Sequence, residues 1–304
     1  MSETYPPENH YLRDLQLRFA VREDGLSVQL PISEAFCDES GQLLAGILAT
    51  AIDIGSGAVA GRLASPDWVA TSDISLHVLA PLAGSTLRLD CTLVRRGRSL
   101  IVLQTDVFDA DQEIARPAVG AARATAGCAF AVLPDRGTSQ GGRPGKRPAR
   151  GEFPRSESPL EQPILEKLGI EAIDAAAGRF TMPLSDYVRN TYSALQGGLS
   201  GVLAELACRG MGECLLGRRP STRDLRIRYL SQGRVGPFKT KTELLRHTSS
   251  EALARVRIVD CGAEDRPVAV ASVSVALTNT EPASPQAPEH SRPCQQRSRD
   301  DLER

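Results

Sequence analysis

Two segments of the sequence combine residue types that could attack a carbonyl group. Residues 190–205 read NTYSALQGGLSGVLAE, and residues 38–53 read DESGQLLAGILATAID. Each segment opens on Asn or Asp, passes through glycine and closes on an acid. Glycine at a helix start leaves backbone N–H groups open to a substrate oxygen, and a carboxylate can serve as nucleophile or general base. We therefore interpret both segments as parts of one kind of site, in which a helix start could hold a carbonyl group and an acid could act on it.

The spacing within each segment decides which acid can work with which glycine. Glu205 follows Gly197 by eight positions, and eight residues of α-helix rise about 12 Å. A side chain at that distance cannot reach a carbonyl held at the start of its own helix. Two packed helices lie ~8–10 Å apart, so the acid of one segment can reach the glycine of the other. The spacing predicts two composite sites, each shared between the segments.

The elements around these segments repeat along the chain. Leu12 is followed 153 positions later by Leu165, and the segment at 72–84 corresponds to that at 223–236. Runs that alternate apolar and polar residues follow in both halves, which is typical of strands with one wet face. The pattern predicts an α+β fold in which each half has one strand, one helix of small residues and four antiparallel strands curled around that helix.

The repeat also sets the expected domain boundaries. We predict an N-terminal domain at 10–133 and a C-terminal domain at 159–279. Residues 134–158 are rich in Pro, Gly, Ser and Arg and contain almost nothing to bury, which predicts a disordered linker. Residues 280–304 are predicted to be a disordered polar tail on the same grounds.

Composition and charge narrow the class of protein. The net charge of −1 gives no global attraction to nucleic acid or to an anionic membrane. Seven cysteines form no C-x-x-C pair and four histidines are scattered, so we expect no metal site, no cofactor and a reducing cytoplasm. The apolar stretch at 43–60 contains Asp53 and three glycines, which argues against a membrane span.

The acid-bearing segments resemble the hotdog-fold acyl-CoA thioesterases of the phenylacetyl-CoA thioesterase type. In that family an Asn precedes a His-Gly-Gly by five residues, and an Asp lies seven positions beyond the second glycine. The second segment matches, with Gln for His and Glu for Asp, at Asn190, Gln196, Gly197, Gly198 and Glu205.

The first segment matches the same pattern less well. Its corresponding residues are Asp38, Leu44, Ala45, Gly46 and Asp53, so Asn has become Asp, His has become Leu and one glycine is lost. The resemblance covers about 10–133 and 155–278. It implies an acyl-CoA thioesterase built as two tandem hotdog halves that form a pseudo-dimer, with a possible homo-oligomer of such chains.

The resemblance implies one working site and one degenerate site. The working site would use Asp53 as nucleophile or general base, with Gly197 and Asn190 holding the carbonyl. The family also places a hydroxyl at the start of the next strand, which would be Thr71, with Ser72 beside it. Gln196 and Gly198 would help bind the substrate.

The degenerate site would combine Glu205 with Asp38 and Gly46, and counting from the acid predicts Arg223 at the matching strand position. A charged Asp38 facing Glu205 would repel it and disfavour an oxyanion. In the basic turn RRGRS, Arg98 could meet the phosphates of coenzyme A, although a solvated hairpin tip is the plainer interpretation.

Several alternatives stay open. Glu205 could form a plain helix ion pair with Arg209, and Asn190 could simply order its loop. His77 and Tyr229 are more typical of structural positions than of a ligand contact. The glycine spacing of DIGSGAVAG does not fit a dinucleotide fingerprint. The one G-x-S-x-G match, GTSQG at 137–141, lies in the predicted linker and not at a strand-to-helix turn, which argues against an α/β-hydrolase. The second-ranked function is a non-catalytic acyl-CoA-binding or sensing protein.

Overall fold

The computed structural model describes residues 5–110, 121–134 and 154–277. Twelve strands and four helices make up the fold in these ranges. The helices are α1 (Tyr11–Asp14), α2 (Ala45–Ala64), α3 (Ile164–Lys167) and α4 (Gly198–Leu216). The strands are β1 (Arg18–Val21), β2 (Gly25–Pro31), β3 (Trp68–Val78), β4 (Thr86–Arg96), β5 (Leu100–Asp109), β6 (Ala124–Leu133), β7 (Glu171–Asp174), β8 (Arg179–Met182), β9 (Ser221–Tyr229), β10 (Phe238–His247), β11 (Glu251–Asp260) and β12 (Arg266–Ala276).

All twelve strands belong to one antiparallel sheet. Their order is β1-β2-β4-β5-β6-β3-β9-β12-β11-β10-β8-β7, so the second half of the order mirrors the first. The two halves of the chain meet where β3 pairs with β9, and Ser75 lies opposite Arg226 in that pairing. The central strand pair therefore joins the two halves through backbone hydrogen bonds.

The two long helices are buried between the sheet and each other. Helix α2 is apolar on nearly all its faces, which suits a helix enclosed by protein. Its closest approach to α4 uses glycine: a methyl group on Gly198 would lie 2.6 Å from Thr50 Cα, and one on Gly46 would lie 2.4 Å from the Val202 nitrogen. Any side chain at either glycine would push the helices apart. The glycines of the two segments thus set the helix spacing that a shared site requires.

The predicted α+β architecture of helices against an antiparallel sheet is confirmed. The alternation patterns did not reveal the short helices α1 and α3 or the short edge strands β1 and β7, because elements of four residues carry too little periodicity. The predicted tail at 280–304 and most of the predicted linker lie outside the described residues. Helix α2 is long and apolar enough to cross a membrane, but 72% of that stretch is buried inside the protein.

Candidate active site

Asp53 lies on the buried side of α2, beneath strand β3. Its carboxylate is 8% exposed, and Thr71 on β3 donates a hydrogen bond of 2.6 Å to Asp53 Oδ1. Burial raises the pKa of Asp53 to about 6, while the Thr71 hydrogen bond acts in the opposite direction. The carboxyl group therefore changes charge near neutral pH, which suits a general base or nucleophile.

Across the contact between the helices, the start of α4 faces this carboxylate. A methyl group on Gly197 would lie 3.5 Å from Asp53 Oδ2, so the acid of the first half reaches the glycine of the second, as the spacing predicted. Within the described ranges, neither the Gly197 nor the Gly198 backbone N–H has a hydrogen-bond partner. Two unpaired donors at a helix N-terminus favour a developing negative charge.

Tyr229 lies against Gly197, and an aromatic pair joins the start of β3 to the loop before α4. The Tyr229 hydroxyl donates to the Gly197 carbonyl over 3.1 Å, and its ring carbons would be 3.4–3.5 Å from a methyl group on that glycine. Trp68, at the start of β3, contacts Tyr192 edge-to-face with ring centroids 6.4 Å apart. Residues from both halves therefore surround the site.

The equivalent acid in the second half is held differently. Glu205 is 2% exposed, and its two carboxylate oxygens accept hydrogen bonds of 3.1 Å from the Ala45 N–H and 2.8 Å from the Gly46 N–H. The carboxylate itself therefore occupies the donors at the start of α2. A substrate carbonyl cannot use them while Glu205 stays in place.

The hydroxyl partner of Glu205 corrects one prediction. Thr222 donates to Glu205 Oε1 over 2.9 Å, whereas counting from the acid pointed to Arg223. The acid and its hydroxyl are 18 positions apart in the first half and 17 in the second. Because side chains alternate across a strand, a one-residue difference moves the neighbour to the other face.

Asn190 and Asp38 both order the loops that precede the long helices. Asn190 Oδ1 accepts from the backbone N–H groups of Tyr192 and Ala194, at 2.9 and 3.1 Å, which is the loop-ordering role considered as an alternative for this residue. Asp38 likewise accepts from the Gln42 N–H over 3.1 Å.

The predicted repulsion between Asp38 and Glu205 is wrong. Arg209 donates to Asp38 Oδ2 over 2.6 Å and also lies 3.8 Å from Glu205 Oε1. The guanidinium thus bridges the two acids and neutralises their repulsion. The helix ion pair considered for Glu205 is present, but it is the weaker of the two contacts.

Three predicted residues remain, and each is placed differently. The predicted role of Ser72 in substrate binding is corrected, because its hydroxyl donates to the Ala129 carbonyl over 3.0 Å and is engaged outside the site. Gln196 is 6% exposed, and its side-chain amide has no hydrogen-bond partner in the part of the chain that the structure describes. Arg98 is exposed in the β4–β5 turn. Leu100, at the end of that turn, pairs with Ala131, and Ala131 also pairs with Ala70, the neighbour of Thr71. The turn therefore lies at the same end of the sheet as the site.

Sequence reasoning missed Tyr229 and Thr222. Strands β3 and β9 each carry a bulge directly after the threonine, between Thr71 and Asp73 and between Thr222 and Asp224, so the two threonines hold equivalent places 151 positions apart. The described ranges contain no cluster of three metal-binding side chains.

No protein-family model matches this chain. A protein of Saccharolobus solfataricus, provisionally named an esterase, is 25% identical over 121 residues, which cover 40% of this chain and 86% of that relative. A stretch of 40% of this chain therefore matches most of the length of that relative.

Solved structures match over most of the length. A protein of Thermobifida fusca, provisionally named thioesterase II, has a TM-score of 0.58 at 15% identity and covers 86% of this chain and 96% of its own. An Alicyclobacillus acidocaldarius protein described as having a hot dog fold has a TM-score of 0.57 at 10% identity, covering 90% and 99%. This chain is a hotdog-fold protein, and its resemblance to the hotdog-fold thioesterases is confirmed at the level of the fold.

Proposed function

We propose that this protein is a thioester hydrolase that releases a free acid and coenzyme A from an acyl-CoA. One observation carries the proposal: Asp53, with a raised pKa, faces a helix start whose two backbone donors are unpaired. The names of the similar structures, several of which are thioesterases, support the reaction class.

The chemistry follows from this arrangement. The substrate carbonyl accepts hydrogen bonds from the Gly197 and Gly198 N–H groups, which stabilise the oxyanion as it forms. Asp53 removes a proton from water, whose oxygen attacks the carbonyl carbon, or attacks that carbon itself. In the first route the C–S bond breaks, the coenzyme A thiolate takes up the proton that Asp53 removed from water, and the free acid leaves. In the second route the C–S bond breaks to leave an anhydride between the acyl group and Asp53, and a water molecule then hydrolyses that anhydride to the free acid, restores Asp53 and supplies the proton for the thiolate. Thr71 holds the Asp53 carboxylate in position.

We further propose that the two halves are a fused hotdog pair, at 10–133 and 159–279. The mirrored strand order and the matching places of α2 and α4 support this division. Only the Asp53 site would turn over substrate, because the Glu205 carboxylate occupies the backbone donors at the start of α2 that the second site would need. Arg98 would meet the coenzyme A phosphates at the open end of the sheet.

A panel of acyl-CoA thioesters with detection of the released thiol tests the proposal. Asp53→Asn should lower turnover by about 10³-fold, since a positioned general base contributes on the order of 10²–10⁴. Glu205→Gln is the matched control and should keep most of the activity. Equal losses in both variants would contradict a single site, and binding of acyl-CoA without thiol release from any thioester would favour the non-catalytic alternative.

A further inference from the structure

We propose that Tyr229 is a positioning residue of this site, whose hydroxyl fixes and polarises the Gly197–Gly198 peptide so that the Gly198 N–H is presented to the substrate carbonyl. The inference rests on the proposed function and adds a residue that sequence analysis had assigned to the core or rim. Tyr229 acts on the reaction only through the peptide that it holds.

The contacts of the Gly197 carbonyl define the effect. This oxygen accepts one hydrogen bond from the Tyr229 hydroxyl at 3.1 Å and one from the Ser200 N–H at 3.0 Å. In a planar trans peptide the N–H of the next residue points away from the carbonyl. Fixing the Gly197 oxygen therefore fixes the direction of the Gly198 N–H, and hydrogen bonds on the oxygen strengthen that N–H as a donor.

The position of Tyr229 explains why it can reach this peptide. It is the last residue of β9, next to Arg228, which lies opposite Asp73 of β3. The register therefore brings Tyr229 close to the strand position that carries Thr71. Burial and the charge of Asp53 raise the pKa of Tyr229, so the phenol keeps its proton and remains a donor when Asp53 is ionised.

The other half lacks this anchor. The matching bulges of β3 and β9 set equivalent residues 151 positions apart, which makes Val78 the counterpart of Tyr229, and valine has no hydroxyl. The anchor is present where the helix-start donors are unpaired and absent where Glu205 occupies them. This difference is expected if the Tyr229 hydroxyl supports the backbone donors at the start of α4. A hydroxyl that contributed only to packing would not have to be limited to the half with free donors.

Tyr229→Phe in the full chain keeps the ring and removes the hydroxyl. We expect kcat to fall about tenfold with KM nearly unchanged, as for loss of one neutral hydrogen bond that matters in the transition state. Tyr187→Phe is the matched control, because it removes a buried tyrosine hydroxyl that donates to Asp14 instead. A tenfold loss in both variants, or in neither, would overturn the proposal.

A second measurement needs no turnover. Glycine labelled with ¹³C at the carbonyl and with ¹⁵N gives coupled amide signals only for Gly142 and Gly198, where glycine follows glycine. Tyr229→Phe should shift the Gly198 amide signal upfield and leave Gly142 unmoved, whereas Tyr187→Phe should move neither. An unchanged Gly198 signal would refute the role of Tyr229, while a wild-type protein that hydrolyses no thioester would refute the proposed function and leave this test intact.

Discussion

The two acids at the centre of this molecule occupy matching places on matching helices, yet their surroundings differ. Glu205 binds two backbone N–H groups of the opposite helix, whereas Asp53 approaches the equivalent glycine and leaves its donors unpaired. Each acid also has a threonine hydroxyl, from Thr222 and Thr71. The main chemical difference is one methylene, which gives glutamate the length to close its own site. On this scaffold the longer acid caps the opposite helix, whereas the shorter one leaves the equivalent amides free.

Lengthening Asp53 by one methylene should remove the difference between the two acids, and we expect this change to have the largest effect on turnover. Asp53→Glu is expected to let the carboxylate reach the Gly197 and Gly198 amides, so that kcat falls about 10²-fold, as for loss of an oxyanion donor. Thiol release under saturating substrate measures this. Glu205→Asp, the matched change, should leave kcat nearly unaltered but lower the free energy of unfolding by about 1–3 kcal/mol, because buried donors lose their acceptor. Full activity in Asp53→Glu would show that the free amides are not used.

The pH dependence of turnover should follow Asp53. With its pKa raised to about 6, turnover should increase about tenfold between about pH 5 and about pH 8 as the carboxylate ionises. A pH profile of kcat/KM in the wild type checks this. A flat profile across that range would contradict Asp53 as the base or nucleophile.

The same raised pKa has a consequence for stability. A carboxyl group with a folded pKa above its unfolded value contributes stability that is complete below the unfolded pKa and is lost as the pH rises through the folded pKa. Above about pH 6, Asp53→Asn should therefore be more stable than the wild type by about 3 kcal/mol, and the gap should close below about pH 4. Urea unfolding at both pH values measures the difference.

The two threonines offer the smallest and most selective change. Thr71→Val should lower kcat about fivefold, the effect of losing about 1 kcal/mol of hydrogen-bond free energy, and should move the pH inflection upward, because the Thr71 hydrogen bond lowers the pKa of Asp53. Thr222→Val should leave kcat and the inflection unchanged and reduce stability by about 1 kcal/mol. Identical pH profiles for wild type and Thr71→Val would remove Thr71 from the site.

Much of this arrangement could be predicted from the sequence because it depends on periods and distances. The alternation of apolar and polar residues predicted the long strands, and the repeat predicted two matching helices. The rise of an α-helix predicted that Asp53 lies near Gly197 across the contact between those helices. These predictions use only backbone geometry, which is the same in every protein.

What could not be predicted depends on single residues and local hydrogen bonds. The one-residue difference between the helix–strand connections put Thr222, not Arg223, beside Glu205, and no periodic pattern reports such a difference. Asn190 is suited by type both to holding a carbonyl and to ordering its own loop, and only coordinates show its contacts with the loop amides. The sequence shows the length of the Glu205 side chain, but it does not show the contacts of that side chain with the Ala45 and Gly46 amides, 160 and 159 positions away.

One contact far from the site bears on how such a chain can arise. Asp14 and Lys167 are the last residues of α1 and α3, which hold the same place in the two halves, and they form an ion pair of 2.7 Å with Asp14 only 6% exposed. If two identical copies of either half assembled in this way, the meeting point would carry two aspartates or two lysines. Opposite charges at that point require two different sequences, so this contact favours the pairing of two unlike halves over the pairing of two copies of either one.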